Sequence, residues 1–246
     1  SRGLGDVYKR QIKYICRCDT YCGACLIGLK EQNSAGKRKN DVILYKIKVT
    51  IHNPIFQIKK DNFMNTETQN YKIIVAYDGT RYKGWQVQKS TDDTIQGKLQ
   101  HVLSTLAGKP VEVIGSGRTD AGVHAVGQVA SFHMPKHFSK DEIFIWLNEH
   151  LPADIAVTDI SNVPDRFHAR YNAVSKTYVY TIHTGIVSDV FRRKYVYDYD
   201  KPLDTDRMKK AAAYLLGEHD FKAFCGNKHI KKSTVRTISV SYTHLR

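Results

Sequence analysis

Apolar and polar residues recur along this chain with two periods. Residues 71–77 (YKIIVAY) read as a strand ending at the turn pair Asp78-Gly79, and a short segment over 81–88 carries Trp85. Over 94–107 the period lengthens: Ile95, Leu99, Val102, Leu103 and Leu106 share one helical stripe, and Gly108 stands where a helix stops. Residues 110–114 and 126–134 are predicted strands on either side of a glycine-rich loop. Ser139-x-x-Glu142 forms a capping box that opens a helix with Ile143, Phe144, Trp146 and Leu147, ending before Pro152. A strand over 155–160, a period-two segment over 176–183, a helix over 202–216 closed by Gly217, and a strand over 235–240 complete the pattern. Many of these strands are one-sided, so the expected fold is α+β: a mostly antiparallel sheet with helices on one face.

The stretch before residue 64 breaks this plan. It alternates over 42–51 and carries charge blocks at Lys37-Arg38-Lys39 and Lys59-Lys60, without a coherent order of elements. Residues 1–11 (SRGLGDVYKRQ) and 240–246 (VSYTHLR) look like translated sequencing-adapter tails. We therefore expect residues 1–63 to be a non-native or disordered extension, with the folded protein beginning at Met64. Charge divides the chain in the same way, with 13 basic and 5 acidic side chains in 1–63 against 25 and 19 in 64–246. Over all 246 residues the net charge of +14 points to a polyanionic partner. With 41% apolar and 25% charged residues, the composition is globular rather than disordered or fibrous. No apolar run approaches the roughly 18 residues of a membrane-spanning helix. The first 40 residues are studded with Lys and Arg and lack the apolar centre of a secretory signal.

Four of the five cysteines, Cys16, Cys18, Cys22 and Cys25, follow the spacing C-x-C-x3-C-x2-C. Four thiolates so spaced have the chemistry to hold zinc, but ribbons and knuckles bring two separated pairs together, and the sequence has no second arm. A plain Cys-rich stretch is the preferred reading, and no metal is expected. Cys225 stands alone without an activating motif, which reads as a buried or idle thiol.

The chemistry-bearing segment is 115–125, GSGRTDAGVHA. Its glycines permit sharp turns and close approach, and Arg118, Thr119 and Asp120 put a cation and an anion one residue apart. A dinucleotide fingerprint fails because position 120 is Asp where a third glycine belongs, and Gly-Lys-Ser/Thr occurs nowhere. H-E-x-x-H and G-x-S-x-G are also missing, which removes zinc-peptidase and serine-hydrolase chemistry. Taken alone, Arg118 and Asp120 read as a structural ion pair in a turn, and His124, four residues on, as a structural loop histidine.

The loop does not stand alone. Tyr77-Asp78-Gly79-Thr80-x-Tyr82-x-Gly84-Trp85-Gln86 precedes it; NEHLPADIA (148–156), Phe167-His168-Ala169-Arg170, Lys176-Thr177-Tyr178-Val179-Tyr180 and Leu216-Gly217-Glu218-His219-Asp220-Phe221 follow. These ordered blocks, over roughly residues 71–238, resemble the TruA-type tRNA pseudouridine synthases. The resemblance implies the pseudouridine synthase fold, with ferredoxin- or RRM-like subdomains: a catalytic-loop subdomain over 64–174 and the start of a C-terminal one over 175–246. It implies an isomerase that breaks the N1–C1′ bond of a uridine in the anticodon stem-loop of tRNA, turns the uracil and rejoins it through C5, without a cofactor. Asp120 matches the family's catalytic aspartate, which acts either as a nucleophile on the ribose or on a glycal-type intermediate. Arg118 matches the residue that helps splay the target base, with a phosphate contact or loop anchor as the open alternative. Tyr178 matches the tyrosine that stacks on the base, core packing being its alternative. Arg170 and Lys176 are possible RNA contacts. Lys228 to Lys232 and Arg192-Arg193-Lys194 are weaker candidates for widening that face.

The resemblance also implies a cytoplasmic homodimer. The family continues past the strand at Val235 and includes an arginine that pairs with the catalytic aspartate; here adapter-like sequence intervenes. The expectation is a C-terminally truncated chain that is inactive, with an unpaired sheet edge prone to aggregate. Two other classes remain open: a non-catalytic RNA-binding module, and a zinc-dependent nucleic-acid binder built on Cys16 to Cys25.

Overall fold

A computed structural model describes residues 12–18, 41–50, 68–225 and 233–245. In chain order the elements are β1 (Ile12–Cys18), β2 (Asp41–Thr50), β3 (Thr68–Tyr77), α1 (Ile95–Ala107), β4 (Ile114–Gly115), β5 (His124–Pro135), α2 (Lys140–His150), β6 (Ile155–Val163), β7 (Ala173–Thr184), β8 (Tyr197–Tyr199), α3 (Thr205–Ala213), β9 (Gly217–Asp220) and β10 (Val235–Leu245). One sheet runs β6-β3-β5-β1-β7-β2-β10-β9, with β4 on β5 and β8 on β7. Only β1–β5 and β7–β8 pair in parallel, so the expected α+β, mainly antiparallel architecture is the one observed.

The best-packed part is the β6-β3-β5 end. Ile73 and Val75 of β3 and Phe132 of β5 join Leu99 and Leu103 of α1 and Ile143 and Leu147 of α2 in one core from which water is excluded. Each such aliphatic side chain contributes about 2 kcal/mol through burial. Local chemistry fixes the helix ends. The Thr94 side chain accepts from Gly97 N–H, Gly108 closes α1 in the left-handed region (φ 64°), and the Ser139/Glu142 capping box is formed in both directions.

Residues 12–18 and 41–50, within the stretch expected to be a non-native or disordered extension, form strands inside the sheet. The alternation over 42–51 is the sequence reason for β2, which pairs with β7 along all ten residues and with β10 on its other edge. The rest of 1–63, with Cys22, Cys25 and the expected start at Met64, lies outside the described residues, as does the basic run 228–232. Two expected elements are corrected. Residues 110–113 are not strand, although Val111 and Val113 are buried. Their backbone groups bond to α1 side chains instead: Val111 N–H donates to Ser104 Oγ, Val113 N–H to Gln100 Oε1, and Gln96 Nε2 donates to Val113 O. Finally, the helix predicted over 202–216 starts later and stops earlier. Asp204 caps it by accepting from the amides of Asp206 and Arg207, and the chain tightens into three-residue turns after Ala213. The subdomain boundary expected at 174/175 falls inside β7, across which the sheet is continuous.

Candidate active site

Between β4 and β5 the chain crosses residues 116–123, and the alternation of this loop decides what it can do. Gly117 and Thr119 turn inward and are buried, whereas Arg118 and Asp120 face solvent. Each inward position is pinned. Nε2 of Gln128, a fully buried residue of β5, donates to Gly117 O at 2.6 Å. Thr119 Oγ1 shares a 2.8 Å hydrogen bond with the Tyr77 hydroxyl, and Thr119 O accepts from Trp85 N–H at 3.0 Å. Further on, Gly122 N–H donates to Tyr82 O. The anion and the cation are thus presented by a backbone anchored on both sides of each. Neither side chain forms an ion pair or hydrogen bond among the described residues, so the turn ion pair left open by the sequence is not made.

The support under the loop comes from the 77–86 segment. Gly84 has φ +103°, and a Cβ there would lie 2.6 Å from Thr119 O, so only glycine lets these two backbones meet. The loop glycines work inward in the same way: a Cβ on Gly115 would sit 2.5 Å from the Trp85 indole. Burial pushes the Tyr77 phenol up, partly offset by its bond to Thr119. It therefore serves as a neutral hydrogen-bonding post.

At the far end of the loop His124 is buried, with Nδ1 at 3.0 Å from Asp78 Oδ1 and 3.2 Å from Gly79 N. Nδ1 cannot accept from Gly79 and donate to Asp78 at once, so the tautomer or charge of the ring selects one partner. Asp78 Oδ1 also accepts from Thr80 N–H and O–H, and Oδ2 accepts from the Tyr195 hydroxyl at 2.7 Å. Burial alone would raise this carboxyl; the hydrogen bonds from Thr80 and Tyr195 and the facing His124 outweigh it and hold its pKa at about 2. Beside it, Asp154 accepts from the Tyr82 hydroxyl and pairs with Arg81 at 2.7 Å, tying the NEHLPADIA block to the 77–86 block.

Sheet register locates the remaining residues. Ala125, at the start of β5, stands opposite Tyr14 of β1, and Tyr14 opposite Tyr178 of β7. Tyr178 is therefore two strand spacings, about 10 Å of backbone, from the point where the loop enters the sheet. Its ring is half-buried and packs against the core. Lys176 is two residues further along β7, half-buried, in the row of Cys16. Arg170 is exposed; its neighbour Ala169 donates to Ser131 Oγ, seven residues down β5 from His124 and opposite Ile114, where β4 leads into the loop. Tyr178 thus shares a register row with the point where the loop enters β5, and Arg170 adjoins the row where β4 leads into the loop. The sequence reading missed Gln128 and Tyr195 as supports of this site. Gln128 carries no local motif, and Tyr195 reaches Asp78 from 117 residues away. Among the described residues no group of His, Cys, Asp and Glu is arranged to hold a metal.

An exposed carboxylate thus stands on a glycine-rich, internally pinned loop that leads into β5 of a mainly antiparallel sheet. Residues 73–172 and 211–244 match the family described as tRNA pseudouridine synthase, and the chain belongs to that family. Among curated relatives, tRNA pseudouridine synthase A of Bacillus sp. (strain KSM-64) is 51% identical over 169 residues, 69% of each chain. tRNA pseudouridine synthase A 1 of Clostridium tetani is 50% identical over 170 residues, again 69% of each. The tRNA pseudouridine synthase A of Halalkalibacterium halodurans is 47% identical over 165 residues, 67% of this chain and 62% of that protein.

Proposed function

We propose that this protein isomerises uridine to pseudouridine in the anticodon stem-loop of tRNA, with Asp120 as its catalytic residue. The observation that carries the proposal is the loop geometry: Asp120 is directed to solvent, unpaired among the described residues, while Gly117 and Thr119 are held from beneath. A carboxylate so placed can meet C1′ of a nucleotide extruded from its stack. As the N1–C1′ bond breaks, Asp120 either bonds to C1′ or takes a ribose proton to give a glycal. The uracil then turns and C5 bonds to C1′ as the Asp120–C1′ bond breaks or, on the glycal path, as Asp120 returns the proton to C2′; C5 then loses its proton and N1, left anionic by the cleavage, gains one. One proton leaves C5 and one is gained at N1, with no net change in composition or oxidation state, so the reaction needs no oxidant, reductant or ATP.

Arg118, two residues from Asp120 and equally exposed, takes the place of the displaced base or grips a neighbouring phosphate. Tyr178 offers the flipped uracil a ring face. Arg170 and Lys176 contact phosphates of the bound RNA. We place the enzyme in the cytoplasm with its substrate and, like the family, as a homodimer.

The test is tritium release from [5-³H]uridine in an unmodified tRNA transcript, with protein in excess over RNA so that even a slow turnover is read. Release should occur with the unaltered chain and vanish in Asp120→Asn, whose tRNA affinity stays the same. Binding without release in the unaltered chain would instead identify a non-catalytic RNA-binding module.

A further inference from the structure

The loop that bears Asp120 is held along its length by Gln128, Tyr77, Trp85 and Tyr82. At its far end stands His124, paired with Asp78, and one side chain that touches both comes from elsewhere in the chain. We propose that Tyr195 is a positioning residue for this loop, acting as a clasp that closes over the Asp78–His124 pair. The inference rests on the reading that the 116–123 loop is catalytic.

Tyr195 touches both members of the pair. Its hydroxyl donates to Asp78 Oδ2 at 2.7 Å, and its ring meets the His124 imidazole edge-on, centroids 4.9 Å apart at 61°. Asp78 Oδ1 is already occupied by Thr80 and faces His124 Nδ1, so the phenol saturates the second oxygen. A bond from a hydroxyl to a carboxylate is among the stronger hydrogen bonds, and here it fixes the rotation of the carboxylate that His124 faces. The same contact raises the Tyr195 phenol's affinity for its proton, so the donor keeps that proton at neutral pH. Asp78 in turn governs the backbone under the loop. It is the N-cap of the 3-10 turn Gly79–Arg81, and its own N–H donates to Asp154 O. Around Asp78 converge the end of β3, the start of β5, the residues before β6 and the segment leading into β8. Tyr195 is the member contributed by the chain beyond residue 175. It therefore couples that region to the position of Asp120 without touching Asp120.

Tyr195→Phe keeps the ring against His124 and removes the hydroxyl. Asp78 is partly open to solvent, so water can replace the lost donor, and the expected result is loosening rather than collapse. Amide hydrogen exchange should accelerate about tenfold at Trp85, Gly122 and Val123, whose N–H groups hold the loop, and stay unchanged in β3 and β6. The tritium-release rate should fall by about the same factor while tRNA affinity stays within about twofold. Asp78→Asn should loosen the same amides, and the double variant should do no more than the larger single effect. Unchanged loop exchange in Tyr195→Phe, acceleration spread evenly through the core, or fully additive effects with Asp78→Asn would each overturn the clasp. Asp120→Asn separates the two proposals. It should abolish product without altering exchange; if it stays active, the catalytic assignment falls, while loop exchange still judges Tyr195.

Discussion

Residues 68–173 and residues 174–245 are held together by different means. In the first region, side chains from β3, β5, β6, α1 and α2 interlock in one core, and almost all the buried apolar residues of the described chain lie there. In the second, the buried apolar side chains are Val196, Ala212 and Ile238, while Ile186, Phe191, Tyr214 and Phe224 are each more than three-quarters exposed. The second region is instead fastened by backbone ladders, β7 on β2 and β2 on β10. Each region also has a buried histidine whose Nδ1 meets an aspartate: His124 with Asp78 at 3.0 Å, His183 with Asp198 at 2.9 Å. The second pair joins the neighbouring strands β7 and β8, whereas the first gathers four chain segments under a loop. The difference teaches where precision is located. The carboxylate loop is built on the region with interlocked packing, and the other region supplies it with single side chains, Tyr178 by register and Tyr195 by one hydrogen bond.

The comparison predicts unequal costs for equivalent cuts. Leu103→Ala, in the packed core, should lower stability by about 4 kcal/mol, and Ile238→Ala, at a site that water already approaches, by about 2 kcal/mol. Urea midpoints at fixed slope measure both, and equal losses would break the contrast. A smaller effect separates two glycines of left-handed backbone. Gly84→Ala drives a Cβ into Thr119 O and should cost about 3 kcal/mol, together with loss of activity as the loop shifts. Gly217→Ala, at φ +92° with nothing closer than His219 Nε2 at 3.8 Å, should cost about 1 kcal/mol and leave activity unchanged.

Much of the first region was legible in the sequence because its signals are local. The stripe Ile95–Leu99–Leu103 with Thr94 and Gly108, and the Ser139/Glu142 box, each specify an element without help from distant residues. The Asp120 loop was legible through its motif, and its exposure follows from alternation against Gly117 and Thr119. What escaped depends on partners far along the chain. Residues 110–113 carry a strand pattern, yet their amides find α1 side chains, which no window on those residues can reveal. β1 was missed because a strand among charged residues is fixed by its neighbours in the sheet, β5 and β7, whereas the alternation of β2 was legible and its place between β7 and β10 was not. Tyr195 has no motif, and its role exists only once β3 and β5 have been folded beside it.

The smallest predicted effect is a titration. The folded carboxyl of Asp78 is held at about 2, below its ordinary value of 3.8, so the folded state binds this proton less readily than the unfolded one. The sign follows from linkage: Asp78 contributes stability that is fully present above about pH 4 and is lost as pH falls toward 2. The carboxylate is partly solvated, which screens the contribution and makes it smaller than the core losses. Asp220 in the second region is also lowered, by Thr234 and the Lys222 amide, but it is exposed on the β9–β10 connection and supports no buried group. Between pH 4 and 2, therefore, the exchange of the 116–123 loop amides should rise in the unaltered protein. In Asp78→Asn these amides should already be loosened at neutral pH, with a flatter response to acid. Asp220→Asn should leave the loop profile as it was and flatten only that of β9 and β10. If Asp78→Asn and the unaltered protein showed parallel acid profiles at the loop, the Asp78 carboxylate would not be the group that carries the loop's acid sensitivity.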